Sequence, residues 1–496
     1  MAPISTKQSK PLQFPCEPPK PRFSFALLSH RTPHSDLRKC ESPEAVHIQG
    51  TGMVGTIRPR QLAVVALLGA FALGLAACGG TYPNSTFNPN SEYNAAIDSL
   101  FDRLLYLGTA VFIVVEAALV FTIFRYRRRP GGGIPKQVHG NTALEIAWTA
   151  IPAVILIFVA IPTVRTIFKT QAKAAPNALQ VEVIGHQWWW EFRYPQYGIT
   201  TANELYLQNG RTVNFQLKTN DVLHSFWIPQ MGGKRDLISN KTNFLWFTPN
   251  KDLPSSAWNG FCAEFCGPSH ANMHFRVYTV TPDEFGKWTA HQKNSAVFPL
   301  ALANPAGSAA PSVSPVPSGT GSAPMIQVAA VQPPAGAATA ATPAVAPTPP
   351  APVWTFPKER IDKNFAYIIP QTPIPVGLSI DEAALTKGDA KRGMDIYSRS
   401  SCIGCHAVKG NPMSMGNIGP NLTHVGTRHT IAGGLYPNDT KHLALWLKNA
   451  PHMKPGSIMP TLGKGETDPK TKMVMNVGAL TDAEIADIVA YLQALK

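Results

Sequence analysis

The chain has 496 residues, enough for two or three domains, and its 44 Lys and Arg against 30 Asp and Glu give a net charge of +14. That charge would suit nucleic acid or an anionic membrane. The basic residues are scattered, however, and no nucleic-acid motif accompanies them, so no nucleic-acid partner is expected.

Residues 1–52 are rich in proline and polar residues and read as a non-native or disordered extension ahead of a true start at Met53. Cys16 and Cys40 fall in it and belong to no functional site. From Arg58 the run RPRQLAVVALLGAFALGLAACGG has a basic start, a short apolar stretch and small residues before Cys78, the layout of an export signal. Residues 53–77 are therefore expected to be a signal peptide. Leu75-Ala76-Ala77-Cys78 resembles a bacterial lipobox, which implies cleavage before Cys78 and lipid attachment to its sulfur. The alternative is an ordinary transmembrane helix, but the apolar run is short and ends in Cys-Gly-Gly.

After an exported segment at 78–103, Leu104–Phe124 and Ile146–Val164 are each long enough to span a bilayer, and they predict a transmembrane hairpin over 104–164. The loop between them holds Arg125, Arg127, Arg128, Arg129 and Lys136. The positive-inside rule then puts the loop in the cytoplasm and both helix ends outside, as a lipidated Cys78 also requires. Glu116 falls mid-span and should face a protein partner or be protonated. Glu145, at the mouth of the second span, reads by itself as a charge snorkelling to the interface.

Residues 165–295 contain short strand-like runs, VEVIG, TVNFQL, TNFLWF and HFRVYTV, whose spacing predicts an antiparallel sandwich. Within them GHQWWWEF supplies three consecutive tryptophans, of which at least one is expected in the core. Cys262 and Cys266 are separated by three residues in an exported segment, where a disulfide is a real alternative. His270, Met273 and His224, in LHSFWIP, add two imidazoles and a thioether. Soft sulfur ligands mixed with imidazole suit electron-transfer copper, whereas zinc has little use for Met273.

Residues 296–379 form a connector dominated from about 303 to 353 by Ala, Pro, Ser, Gly and Thr, a composition that cannot build a core. Beyond it, Cys402-Ile403-Gly404-Cys405-His406 is a C-x-x-C-H haem attachment signature, with a redox dithiol as the alternative. The cysteines would form thioethers and His406 would coordinate iron. Among Met413, Met415, Met453, Met459, Met473 and Met475, Met459 is the expected second axial ligand, because Ile-Met-Pro before the final helix resembles small class I cytochromes c. Thr481 and Glu484 predict a capping box opening that helix, and Ile485, Ile488, Val489 and Leu492 its buried face. Ile418-Gly419-Pro420-Asn421-Leu422 looks like the cytochrome c turn whose proline carbonyl supports the ligating histidine. His424, His429, His442 and His452 are read as ordinary histidines.

Residues 97–290 resemble subunit II of a haem–copper cytochrome c oxidase, and 78–496 as a whole resemble that subunit fused to a cytochrome c domain at 380–496. CAEFCGPSHANM matches the family's binuclear copper motif, CuA, position by position. The resemblance implies a two-helix transmembrane hairpin, a cupredoxin-like β-sandwich and an all-α class I cytochrome c domain. It implies that Cys262 and Cys266 bridge two coppers, that His224 and His270 each ligate one, and that Met273 and the Glu264 carbonyl are weak outer ligands. The Glu264 side chain matches a position that helps bind magnesium at the subunit I interface. Trp188 matches the tryptophan through which electrons enter, and Glu145 a glutamate at a proton-channel mouth. Subunit I, with its haem and CuB, and subunit III would be partners in a bacterial inner membrane, fed by an external cytochrome or other donor. The sequence departs from the family at Ser239-Asn240-Lys241, where Pro-Gly-Arg is usual, and at Trp189, usually tyrosine. FRYPQYGI also lacks an acidic cluster for a basic donor. Other readings are the input subunit of a nitric oxide reductase, nitrous oxide chemistry or a copper-binding lipoprotein; the hairpin with Glu145, the lack of a second His-rich cluster and the haem motif argue against these in turn.

Overall fold

The computed structural model describes residues 84–296 other than 132 and 135, 352–361, 372–496, and Val65, Ala66, Leu68, Gly69 and Leu73. The chain divides into two units at Cys78, and residues 79–496 form one of them. Cys16, Cys40 and Cys78, with the expected start, the lipid site and all but those five residues of the expected signal, lie outside the described residues.

Helices α1 (Glu92–Tyr126) and α2 (Thr142–Gln171) are both long and apolar enough to cross a membrane. They extend well beyond the expected spans, because hydropathy marks the membrane-depth portion while backbone hydrogen bonding continues outside it. α2 runs through Pro152 and Pro162. Above the membrane portion, α1 is fastened to the β domain. Ser91 caps the helix by accepting from the Asn94 amide (3.1 Å), its hydroxyl also donates to the Met231 carbonyl, and Tyr93 is buried edge-on against Trp246.

Ten strands follow: β1 (Leu179–His186), β2 (Trp189–Tyr194), β3 (Ile199–Ala202), β4 (Glu204–Gln208), β5 (Val213–Thr219), β6 (His224–Trp227), β7 (Arg235–Leu237), β8 (Asn243–Phe247), β9 (Ser256–Cys262) and β10 (His274–Val280). They make two five-stranded sheets, β3-β2-β1-β5-β8 and β4-β10-β9-β6-β7. The sandwich is as expected, but it is not wholly antiparallel: β1 pairs parallel with β5, and β4 with β10. Alternation along Val213, Phe215 and Leu217 fixes which face a residue occupies and leaves the partner strand open. The two inner faces meet through Trp190, Phe192, Phe215, Phe226, Phe247 and Phe275.

β10 is buried at nearly every position, on both of its faces. Phe275 and Val277 point into the sandwich. Arg276 and Tyr278 point the other way, where the C-terminal domain and residues 352–361 cover them: Tyr278 meets Phe356 at 4.8 Å and His429 at 5.7 Å between ring centroids. Phe356 is fully buried and Trp354 packs beside it, so the end of the expected connector belongs structurally to the sandwich. A capped helix, α3 (Pro282–Gln292), completes this side.

The C-terminal domain contains α4 (Glu382–Leu385), α5 (Ala390–Arg399), α6 (Cys402–Cys405), α7 (Thr440–Lys448), α8 (Ala450–Met453) and α9 (Asp482–Ala494). The predicted capping box opens α9, with Ile485, Ile488, Val489 and Leu492 buried. α5 is tied to α9 by Arg392, whose guanidinium donates to Asp487 at 2.8 and 2.9 Å. One addition to the all-α expectation is a two-stranded ladder of β11 (Thr430–Ile431) and β12 (Tyr436–Pro437).

Candidate copper and haem sites

Cys262 ends β9, and its amide donates to the Met273 carbonyl (3.1 Å), which closes the loop between β9 and β10. β6 pairs with β9 through Phe226 and Cys262, so His224 reaches the same place from another part of the chain. His224 Nδ1 lies 3.7 Å from Cys262 Sγ, and His270 Nδ1 lies 3.7 Å from Cys266 Sγ. Met273 Sδ is 3.8 Å from Cys266 Sγ, and the Glu264 carbonyl is 3.2 Å from Cys262 Sγ. His224, Cys262 and Cys266 offer ligand atoms within 4.8 Å of one another.

The two sulfurs are 3.7 Å apart. That far exceeds the ~2.05 Å of a disulfide. Two thiolates each about 2.3 Å from a shared ion would stand at roughly this distance for a near-tetrahedral angle. Two thiols this close oppose each other's ionisation. The hydrogen bond with Cys266 and the one with His224 bring the Cys262 thiol down to about 3, against the cost of burial, while its hydrogen bond with Cys262, burial and the charge beside it drive Cys266 up. A bound cation relieves this by favouring both thiolates. The donor set therefore fits copper: two thiolates, two imidazoles, a thioether and a carbonyl.

Several supporting residues were not singled out from sequence. His224 Nε2 faces Asp221 Oδ1 at 2.8 Å, which orients Nδ1 toward the sulfurs. Burial opposes a charged His224, but its bonds to Asp221 and Cys262 outweigh this and raise its pKa. Ser239 donates to the Asp221 carbonyl (3.1 Å), and Asn240 takes φ +60°, a conformation asparagine tolerates better than most residues. The departure from Pro-Gly thus retains a tight turn here. Gln187 Nε2 and Trp188 Nε1 donate to the Cys266 carbonyl at 2.8 and 3.0 Å. Trp190 is the buried core member of the tryptophan run, and Trp189 stacks on His186 at 4.1 Å. At the loop tip Glu264 is exposed and Phe265 is 74 % exposed. Glu145 sits in the first turn of α2, and Glu116 on the exposed surface of α1.

In the C-terminal domain Cys402, Cys405, His406, Pro420 and Met459 line one cavity. His406 Nδ1 donates to the Pro420 carbonyl (2.8 Å), which leaves Nε2 as the nitrogen able to ligate. Burial lowers the His406 pKa, which favours the neutral imidazole that a metal needs. Gly419 packs on this ring so closely that a Cβ would lie 2.5 Å from Cε1. These features fit a covalently held haem. Met459 is the only one of the six candidate methionines to line the cavity; Met413, Met415 and Met473 are 61, 80 and 66 % exposed. None of His424, His429, His442 and His452 lines it.

Residues 87–166 match the family described as cytochrome c oxidase subunit II, transmembrane domain, and 198–280 its periplasmic domain; residues 390–496 match cytochrome c. A cytochrome c oxidase subunit 2 of Bacillus sp. (strain PS3) is 31% identical over 451 residues, covering 87% of this chain and 96% of the relative. The same-named protein of Alkalihalophilus pseudofirmus is 30% identical over 392 residues, 78% of this chain and 83% of the relative. The chain belongs to the cytochrome c oxidase subunit II family. Among solved structures, the periplasmic domain of subunit II of cytochrome oxidase from Bradyrhizobium japonicum is 27% identical, with TM-score 0.23, and covers 24% of this chain and 97% of its own.

The oxidase subunit brings its two sites together. The haem cavity is lined not only by the cytochrome domain but also by Gln187, Trp188 and Trp189 of the sandwich. Around this junction Glu204 accepts from the His429 amide (2.9 Å), Arg276 donates to the Gly434 carbonyl (3.0 Å), and His291 packs on His424 at 4.5 Å. Burial pushes His424 and His429 down to about 4 and Lys454 down to about 7, and it lifts Glu204 to about 7.

Lys454 binds fewer protons when docked between about pH 10.5 and 7, and the histidines do so between about 6.5 and 4, so all three withdraw stability on acidification. Glu204 acts oppositely between about 7 and 4.5. Between pH 8 and 4.5 the two histidines together withdraw more than Glu204 returns, and Lys454 adds the lower end of its window, so docking is expected to be weaker at pH 4.5 than at pH 8. Hydrogen exchange of residues 276–280 and 429–434 should accelerate on acidification, after correction for intrinsic rates.

Proposed function

We propose that this oxidase subunit carries a binuclear CuA centre on His224, Cys262, Cys266 and His270, with Met273 and the Glu264 carbonyl as outer ligands. Cys402 and Cys405 would hold a haem c covalently, and His406 and Met459 would ligate its iron. When bound, the two groups supply one-electron chemistry. The chain's own residues do the rest. Gln187 and Trp188 hold the Cys266 carbonyl, Asp221 and Pro420 orient the two histidines, and apolar side chains such as Ile431, Leu443, Leu447 and Leu492 line the haem cavity. Trp188, touching both the cavity and the copper loop, is the route between the sites.

The single observation that carries this reading is that shared wall: Trp188 lines the haem cavity while its indole N–H donates to the backbone of Cys266. The input runs from an external donor to the cytochrome domain and then across Trp188. The exposed Glu264 and Phe265 face subunit I, with Glu264 available to a magnesium ion there, and subunit III completes the assembly. Glu145 stands at the mouth of a proton channel shared with subunit I. The basic loop at 125–136 supports a cytoplasmic position for that loop in a bacterial inner membrane, with the copper and haem domains outside. Cys78 is the lipid attachment site.

Metal and haem analysis of the purified protein tests the central assignment. Two coppers and one covalent haem per chain are expected; zinc or a single copper would overturn it.

A further inference from the structure

Residues 454–459 form a short strap between the two redox sites. Its far end carries Met459, which lines the haem cavity. Its near end is held three times against the copper domain. Lys454 Nζ donates to the Trp188 carbonyl at 2.6 Å and to the Ala432 carbonyl at 3.1 Å. Ser269, next to His270, donates its hydroxyl to the Pro455 carbonyl. Gly456, at φ +90°, lies so close to the Trp188 ring that a Cβ would be 2.9 Å from Cζ3.

Lys454 is 3 % exposed. Burying an amine is costly unless its hydrogen bonds are met, so the position demands a structural return. That return is its two carbonyl partners, which belong to different domains: Trp188 to the sandwich and Ala432 to the cytochrome domain. An amine directs N–H groups at both carbonyls in either protonation state. Electron transfer falls steeply with the gap between donor and acceptor, so a tie across this gap sets the rate without touching either group.

We propose that Lys454 is a positioning residue that pins the Met459-bearing strap to the backbone of Trp188 and thereby fixes the gap between haem and copper. The proposal rests on the haem and copper sites proposed above. The step it serves moves one electron from reduced haem to oxidised copper, with no bond or proton change.

The test uses the full-length chain in its oxidase complex with Lys454→Met, which keeps length and volume and removes the donor. In the wild type, haem and copper absorption should report rapid haem-to-copper transfer after rapid mixing with a reduced donor. In the variant, haem reduction by the donor should be unchanged, while transfer to copper slows at least about tenfold, as expected for losing one buried hydrogen-bonded tie. Independently of turnover, hydrogen exchange across 186–190 and 454–457 should accelerate by about the same factor. Gly456→Ala, which forces the strap away by steric contact, should reproduce both changes and carries the test if the first variant loses haem or copper. Wild-type transfer rates in the variants, or slowed transfer without faster exchange, would overturn the positioning role. A wild type lacking the copper or haem absorption would overturn the proposed function itself.

Discussion

Cys266→Ser is expected to abolish the copper centre and reduce oxygen consumption by the complex at least about a hundredfold, more than the 10–100-fold typical of losing a mere supporting residue around a metal. Cys266 Sγ is the hub of the loop: Cys262 Sγ and His270 Nδ1 are each 3.7 Å from it, and Met273 Sδ is 3.8 Å. A serine hydroxyl stays protonated and is a hard donor, so it can neither supply the negative charge nor match a soft ion. The substitution leaves the fold intact, because β9 and β10 are closed by backbone bonds on either side. Copper analysis, together with haem absorption as an internal control, separates this outcome from unfolding. Copper content equal to that of the wild type would refute the bridging role.

Ending the chain after Ile361 is expected to leave copper content unchanged while lowering donor-driven oxygen consumption by about a hundredfold or more. Tethering raises the effective concentration of a bound partner to the millimolar range, and that advantage vanishes when the cytochrome domain must be supplied separately or is missing. The choice of end point matters. Phe356 is fully buried against Tyr278, Trp354 meets Tyr206 edge-on at 5.9 Å, and Arg360 pairs with Glu284. A chain ending before Trp354 would lose these aromatics and should be destabilised by about 3–5 kcal/mol, as for a deleted core phenylalanine. Oxygen uptake and thermal unfolding of the two truncations distinguish the roles. Equal turnover with and without residues 362–496 would refute the fused-donor reading.

What could be read from sequence was largely local. The copper loop places its sulfur and imidazole donors within a dozen positions, so spacing alone gathers them, and the haem signature is five consecutive residues. His224 was legible because it follows the alternating run of Val213, Phe215 and Leu217, which marks the strand just before it. Asp221 was less so, since an aspartate in a turn has many ordinary uses, although its place three residues before His224 was a signal. The tie from Lys454 to Trp188 spans 266 positions and has no pattern in either segment. Strand partnership was illegible for a related reason: β1 and β5 alternate as antiparallel strands would, and only the chain's route makes them parallel. The aromatics of residues 352–361 did carry a signal. Trp354 and Phe356 follow a stretch, 303–353, without a single aromatic residue, and that abrupt change marks where the chain regains a surface to pack on.

The unbroken helix α1 has a consequence for assembly. Its 35 residues extend about 52 Å, whereas the hydrocarbon core is about 30 Å thick. The remaining length is a stiff stalk whose upper end is keyed into the sandwich through Ser91 and Tyr93. Height and heading of the copper loop are therefore set by residue count, as on a threaded rod. Adding or removing one residue between Ala95 and Arg103 would turn the domain by about 100° and raise or lower it by about 1.5 Å. Phe265 would then face away from the subunit proposed to meet it, although every residue of the proposed electron path remained in place.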